Sequence, residues 1–498
     1  MTPRQLGELG QHTLARLGDY PFVLADGVSH GLSSVLDRAA RVGGGLRDLG
    51  IAAGDRVGVV MTNSADVVVA YLAIWHVGAV AMPVIPAVTP AELNHVLRES
   101  ECRLVFATRS SADLVVAATV DTTGQVVIAG GDRLSLNTLA TASPVAATAR
   151  SAEDLAALLY TGGTTGRAKG VMLTHTNLMA TAAARQRVVE SAGTRSLLLP
   201  LPMSHVFGLI NLVSRLHVIA PGPLHLMGRF DAAEWISTVE REHIEASAVV
   251  PSMLQLLLAQ PLEAHDLSSL TYVTSGGAPL APSVRAEVER RIPTARVCDG
   301  YGCTEVTSTA TMNPPDARRV GTVGIPLDGV RLRVVDPTGA ELSTGDDGEI
   351  CVQSAGVMAG YWRDVVATAE VNPDGWLRTG DVGHLDADGY LTIVDRTKDL
   401  IIRGGFNVYP RDVEDALLEH PAVAAAAVVG RPDPTLGEEV VAFVQLSGSV
   451  EMDVLLAFAA ERLAKTKRPR EIRVVDAVPL TSVGKTDRKA ARRLLGPR

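Results

Sequence analysis

The sequence predicts an α/β protein: a large N-terminal domain of helix-covered mixed sheets carrying a β-rich subdomain, followed by a small α+β C-terminal domain. Three observations predict it. Helix-like and strand-like segments alternate from about residue 31, and again beyond residue 170, as in sheets covered by helices. Near residue 320 the texture changes to short alternating strands separated by Gly, Asp and Pro turns. Finally, 498 residues are too many for one ordinary core, and the last hundred or so carry helices and strands of their own. The expected division is 1–395, with the β-rich part at about 320–395, and 396–498.

The elements follow in order. "LSSVLDRAARVGGGLRDLG" has apolar residues at helical spacing, and "DRVGVVM" reads as a strand. Residues 65–88 form the most hydrophobic run, long enough to suggest a membrane span. His76, Gly78, Pro83 and Pro86 interrupt it, which fits a buried helix running into a buried strand. "PAELNHVLRES" is a helix, and "CRLVFAT" and "QVVIAG" are strands. Beyond residue 170, "TNLMATAAARQRVV" and "AAEWISTVEREHI" are helices, and "RSLLLPLP" and "ASAVVP" are strands. "VRLRVVD", "GEICVQS" and "YLTIVDR" are the strands of the β-rich part. The last region reads "RDVEDALLEH" (helix), "AAAAVVG" and "VVAFVQL" (strands), "VLLAFAAERL" (helix) and "EIRVVDAVP".

Composition removes several classes. Net charge is −9 with 47% apolar residues, so the chain folds around apolar cores and has no electrostatic footprint for nucleic acid. Cys102, Cys298, Cys303 and Cys351 are scattered without CxxC spacing, which argues against a disulfide framework or zinc site and fits a reducing cytoplasm. The N-terminal stretch lacks the apolar core of a signal peptide. The basic C-terminal stretch "GKTDRKAARR" is either a solvated helix face or a site for an acidic ligand.

"YTGGTTGRAKG", residues 160–170, puts four glycines and three threonines around one lysine. It is either a turn or a phosphate loop, in which bare N–H groups, hydroxyls and a point charge hold an anion. It is not a Walker A loop, because Lys169 follows Arg167 and Ala168 rather than glycine. Only six of the 46 basic residues are lysine, which makes each lysine informative where a single oxygen is the target. "DGYGCTE", residues 299–305, sets an aromatic ring beside glycine, then a hydroxyl and a carboxylate suited to Mg²⁺ with substrate phosphates. "RTGDVG" places Asp381 in an expected tight loop, suited to two ribose hydroxyls, with Arg396 of "DRTKDLIIRGG" beside it. "PLTSVGKTDRK" sets Lys485 in a Gly-containing loop.

In this order and spacing the motifs resemble the adenylate-forming superfamily of acyl-CoA synthetases, adenylation enzymes and firefly luciferase, from about residue 20 to 490. The resemblance implies the following roles. Thr161, Gly163, Thr164, Thr165, Gly166 and Lys169 grip the β- and γ-phosphates of ATP. Gly277, Ala278 and Pro279, in "SGGAPL", with Asp299, Gly300 and Tyr301, take the adenine. Asp381 and Arg396 take the ribose. Thr304 donates to the α-phosphate and Glu305 holds Mg²⁺. Lys485 brings charge to the α-phosphate from a small domain that is mobile about a hinge at Lys398. Gly404 and Gly405 border a tunnel for the thiol arm. His205 lines the acyl and thiol side, or is a core histidine. Val206, Phe207, Gly208, Asn211, Ser252, Ser275, Gly300 and Thr309 line the acyl pocket, whose small and apolar character suggests a neutral tail. Cys303 is not expected to act as a nucleophile. Gly162 and Ala168 stand where serine and proline are common in the family, and Asp299 where Gln, Glu or Asn is frequent.

The implied reaction joins a small-molecule carboxylate to ATP, releasing pyrophosphate, then passes the acyl group to a thiol. The closest resemblance is to acyl-CoA ligases. Loading of a phosphopantetheine arm on a separate carrier protein is the alternative, and a nucleotide-binding homologue without catalysis is a remote one. Neither the acid, its chain length nor the oligomeric state is legible from sequence.

Overall fold

A computed structural model describes residues 3–119, 125–128, 131, 134–161, 168–404, 406–481 and 486–496. Among these residues the chain forms four sheets. A seven-stranded sheet runs, edge to edge, Gly360–Tyr361, Lys169–Thr174, Leu155–Thr161, Val80–Pro83, Arg56–Val60, Leu104–Ala107 and Gln125–Ile128. Its strands from Val80–Pro83 to Gln125–Ile128 are mutually parallel. A nine-stranded sheet carries at its centre the parallel strands Arg296–Tyr301, Tyr272–Ser275, Ala246–Val249, Leu197–Leu199 and Leu224–Leu226.

The apolar run at 65–88 explains how these two sheets share a core. Helix Ala65–His76 is buried from Val67 to His76, so it has no solvent face to mark with polar residues. It leads into the buried strand Val80–Pro83, as the sequence suggested. Ser64 caps its first turn by accepting from Val67 N. Trp75 Nε1 donates to Ala156 O at 2.9 Å on one sheet, and Tyr71 Oη donates to Met203 O at 2.8 Å in the loop after a strand of the other. Trp75 is fully buried, so replacing it with alanine would cost roughly 3–5 kcal/mol. Among the described residues no helix is long and apolar enough to cross a membrane.

The third sheet is antiparallel, in the order Arg331–Val335, Gly348–Gln353, Leu377–Leu385 and Leu391–Arg396. One expectation is corrected here. Asp381 does not lie in a tight loop but inside strand Leu377–Leu385. The register moves from Glu349↔Val382 to Cys351↔Arg378, so extra residues bulge out around Thr379–Asp381. Gly380, at φ +72°, supplies the left-handed backbone that the bulge needs.

The last sheet is built from Phe406–Val408, Ile401–Arg403, Gly437–Leu446, Val423–Asp433 and Glu471–Val474. Helices Pro410–Leu418 and Met452–Arg462 pack on one face through Val413, Leu417, Leu455 and Ala459. Helix Arg488–Arg493 contributes Ala491 to a separate cluster with Phe443 and Val478. This α+β unit therefore owns its cores, as the expected fold class requires.

Candidate active site

The motifs converge because they sit where parallel strands end. "SGGAPL" follows strand Tyr272–Ser275 and "DGYGCTE" ends strand Arg296–Tyr301; the two strands pair with Ser275 opposite Asp299. Ligand crevices form at such carboxyl ends. A cavity of about 1520 Å³ opens there, above the roughly 300–1000 Å³ of ordinary small-molecule sites. That leaves room for a nucleotide and an acid together.

Of the residues singled out from sequence, Thr161, Lys169, His205, Val206, Phe207, Ser275, Gly277, Gly300, Tyr301, Thr304, Glu305, Thr309, Arg396 and Lys398 line this cavity. Gly163, Thr164, Thr165, Gly166, Gly405 and Lys485 lie outside the described residues. Strands Leu155–Thr161 and Lys169–Thr174 pair Thr161 with Lys169, so both ends of the phosphate-loop stretch are anchored in a sheet. Lys169 Nζ stands 4.9 Å from the centre of the Tyr361 ring, a cation–π contact.

One polar cluster joins Tyr301, Asp381 and Arg396. Tyr301 Oη donates to Asp381 Oδ2 and Arg396 Nε donates to Asp381 Oδ1, both at 2.7 Å. Strand register places Asp381 directly opposite Arg396. Burial, then the Asp381 charge, push the Tyr301 phenol far above its ordinary range, so it stays a neutral donor. Arg396 is held above its ordinary value chiefly by Asp381. The carboxylate is thus fixed by both donors; Asp381 itself is buried behind the cavity lining, next to Gly380, which does line it.

Thr304 and Glu305 sit on a short 3₁₀ turn, Thr304–Val306. Glu305 Oε1 accepts from Tyr361 Oη at 3.0 Å. Tyr361 is a site residue that sequence reasoning missed: it connects Lys169 of one motif to Glu305 of another. Cys303, next to the cluster, has its thiol pushed far up by burial first and then by Glu305, so it is no nucleophile.

On the other wall, His205 caps helix Val206–Arg215, its Nδ1 accepting from Phe207 N at 3.2 Å. The Phe207 ring lies against Gly276, where a Cβ would come within 3.2 Å of it; the bare backbone makes room for the ring. Asn211 is fully buried and donates to Phe207 O at 2.7 Å. Arg185, also missed from sequence, reaches the cavity from helix His175–Ser191.

Several expected residues stand back from the cavity. Asp299 is engaged by the buried Arg285. Ala278 and Pro279 follow Gly277 without lining the space, Ser252 is half-buried on helix Pro251–Leu258, and Gly404 donates its N–H to Leu436 O at 2.7 Å.

The α+β unit contributes to the cavity wall. Lys398 lines it; burial first, then Arg396, lower its ammonium below the ordinary value. Thr481, Thr486, Asp487 and Arg488, which flank position 485, line it too. Arg488 donates to Glu414 Oε2 at 2.7 Å and to Asp395 Oδ1 at 3.1 Å, with Asp399 Oδ2 at 3.4 Å. Burial alone would lower its guanidinium, but Glu414, Asp395 and Asp399 outweigh that and hold it well above its ordinary value.

Comparison with known proteins identifies the family. Residues 10–362 match the AMP-binding enzyme family, and residues 412–485 match the AMP-binding enzyme C-terminal domain. A feruloyl-CoA synthase of Amycolatopsis sp is 34% identical over 466 residues, covering 92% of each chain. A long-chain-fatty-acid–CoA ligase of Salmonella typhimurium is 32% identical over 98% of this chain and 94% of its own. ATP-bound MatB from Rhodopseudomonas palustris superposes with a TM-score of 0.90 at 33% identity, over 98% of both chains. The chain belongs to the AMP-binding enzymes, in the adenylate-forming acyl-CoA ligase superfamily.

Proposed function

We propose that this protein is an AMP-forming acid–thiol ligase that activates a small-molecule carboxylate with ATP and transfers the acyl group to CoA. One observation carries the reading. A single cavity is walled on one side by Thr304, Glu305, Tyr301 and Arg396, and on the other by the residues that flank position 485. Both relatives named above are CoA ligases, which supports CoA as the acceptor.

Tyr301 offers its ring to adenine, while its hydroxyl keeps Asp381 aimed at the ribose. Arg396 fixes the other carboxylate oxygen. Thr161 and Lys169 hold the outgoing phosphates. The carboxylate of the acid then attacks the α-phosphorus, forming an acyl–phosphate bond and releasing pyrophosphate. Two anions meet in this step, so positive charge must be preorganised where they do. The lining by Thr481 and Thr486 supports giving that task to Lys485.

Glu305 fits the magnesium ion that such chemistry implies. Its carboxylate faces the cavity, and among the described residues no cluster of three or more His, Cys, Asp or Glu can cage a metal. A single carboxylate plus substrate phosphates is a mode Mg²⁺ accepts. Bound there, the ion would neutralise phosphate charge. For the second half-reaction, Lys398 serves as the hinge about which the small unit turns to admit the pantetheine arm.

ATP–pyrophosphate exchange across a panel of carboxylates tests the first step. Lys485→Ala should slow it roughly 10²–10³-fold. Exchange at the wild-type rate in that variant would refute the assignment of the lysine. Mass spectrometry of the product with CoA, or with a phosphopantetheinylated carrier protein, decides the acceptor.

A further inference from the structure

Arg185 departs from the way this chain treats its other deeply buried cations. It is 2% exposed and lines the cavity. Arg215, equally buried, donates to the carbonyls of Arg195 and Gly222 at 2.6 and 2.5 Å. Arg285 pairs with Asp299. Among the described residues no carboxylate, carbonyl or hydroxyl accepts from Arg185. Its guanidinium carbon stands 6.0 Å from the centre of the Phe207 ring, at the outer limit of a cation–π contact. Burial pushes its guanidinium down to about 10; Tyr272 opposes that shift and Arg215 adds to it.

The polar atoms around this wall share the same deficit. Ser275 and Ser204 line the cavity, yet their hydroxyls are buried without partners, as are Tyr272 Oη and Asn211 Oδ1. Buried polar atoms in native proteins are nearly always satisfied, and a bound molecule is one way of satisfying them. A desolvated guanidinium without a counter-charge is costlier still.

We propose that Arg185 binds a second anionic group on the acid, so that the enzyme activates one carboxylate of a dianionic substrate while the other rests on the guanidinium. This rests on the ligase reading and replaces the neutral tail expected from the small and apolar lining. The reacting carboxylate cannot serve as the counter-ion, because it loses its charge as the mixed anhydride forms. A second anion keeps its charge through both half-reactions. Arg185 also enters beside Phe207, from helix His175–Ser191, whereas the nucleotide contacts come from the strands carrying Tyr301, Asp381 and Arg396.

The test is exchange kinetics on acids matched in length: succinate against butanoate, adipate against hexanoate, terephthalate against 4-methylbenzoate. The wild-type enzyme should favour the diacid in at least one pair by about 30-fold or more in kcat/KM, in line with a desolvated charge pair. Arg185→Met should bring that ratio to within about threefold of unity, and Arg185→Lys should retain part of it. Removing an uncompensated buried cation should also raise the Tm of the ligand-free protein, where loss of a structural contact would lower it. If Arg185→Met does not fold, the wild-type ratio and a rise in Tm with the diacid but not its monoacid decide the matter. Monoacids preferred in every pair, or a diacid preference that survives in Arg185→Met, would overturn the proposal and leave the ligase intact. Exchange with no acid at all would overturn the ligase reading and this proposal with it.

Discussion

Arg488 Nη1 stands 3.1 Å from Asp395 Oδ1, which ties the start of helix Arg488–Arg493 to the edge strand of the antiparallel sheet. The same guanidinium reaches Asp399, next to Lys398, and Glu414 in the α+β unit. Three carboxylates, from the sheet, the 3₁₀ turn Thr397–Asp399 and helix Pro410–Leu418, thus converge on one cation three positions beyond Lys485. If the unit moves as the proposed reaction requires, this cluster is the latch that would hold it in the adenylation pose.

Arg488→Met strands buried carboxylates, and breaking a pair of this kind typically costs about 3–5 kcal/mol. The expected outcome is a lower Tm and an exchange rate reduced about tenfold or more. Transfer of the acyl group from preformed acyl-adenylate to CoA should change less than about threefold, because the latch serves the first pose alone. Equal losses in the two single-turnover assays would show that Arg488 merely supports folding.

Tyr361 couples Lys169 to the carboxylate assigned to magnesium, donating to Glu305 while its ring faces the ammonium. Tyr361→Phe keeps the ring and removes one hydrogen bond to a charged group, worth about 1.5–3 kcal/mol. KM for MgATP should rise about 10-fold or more, and the Mg²⁺ concentration for half-maximal exchange should rise with it. Glu305→Gln should depress kcat about 10²-fold. A Tyr361→Phe enzyme with an unaltered Mg²⁺ titration would leave Glu305 positioned by other means.

The sequence displayed the motifs because each is local: a lysine after a glycine run, a tyrosine beside glycine, an aspartate after Thr-Gly. It also displayed the alternation behind the parallel strands, and the interrupted run at 65–88 proved to be a buried helix running into a buried strand of the seven-stranded sheet. What stayed hidden depends on pairing across distance. Asp381 faces Arg396 through a bulged register that "RTGDVG" does not announce. Tyr361 joins the site through a two-residue strand paired with Lys169–Thr174, too short to carry any periodic signal. Arg185 sits in an alanine-rich helix with polar residues on several sides, so its burial could not be read from a hydrophobic stripe.

Asp381 gives a chemical test of the ribose assignment. Asp381→Asn keeps the shape but withdraws the charge that holds Arg396 and Tyr301. Wild-type enzyme should discriminate ATP from 2′-deoxyATP or 3′-deoxyATP by about tenfold, the size of one hydrogen bond to a charged acceptor. In Asp381→Asn that discrimination should fall to about twofold while KM for ATP rises. Retained discrimination would mean that another group reads the hydroxyls.

Stability should fall in mild acid because three histidines, two buried and one half-buried, are held as neutral rings. Burial lowers His175, His217 and His225 to about 4 from an ordinary 6.5. Between those values the unfolded chain binds protons that the folded chain refuses, so their contribution is complete above pH 6.5 and is lost as pH falls toward 4. Each such shift is worth on the order of 3 kcal/mol. His175 is the best probe: it follows the strand that carries Lys169, and its Nδ1 accepts from Leu6 N at 3.2 Å, a bond that requires the neutral ring. In His175→Asn the amide oxygen can accept in the same place without titrating. Urea denaturation at pH 7 and pH 5 should therefore show a smaller loss of stability in this variant than in the wild type. Parallel losses would mean that His175 does not contribute to the acid transition and that the other two rings and the carboxylates account for it.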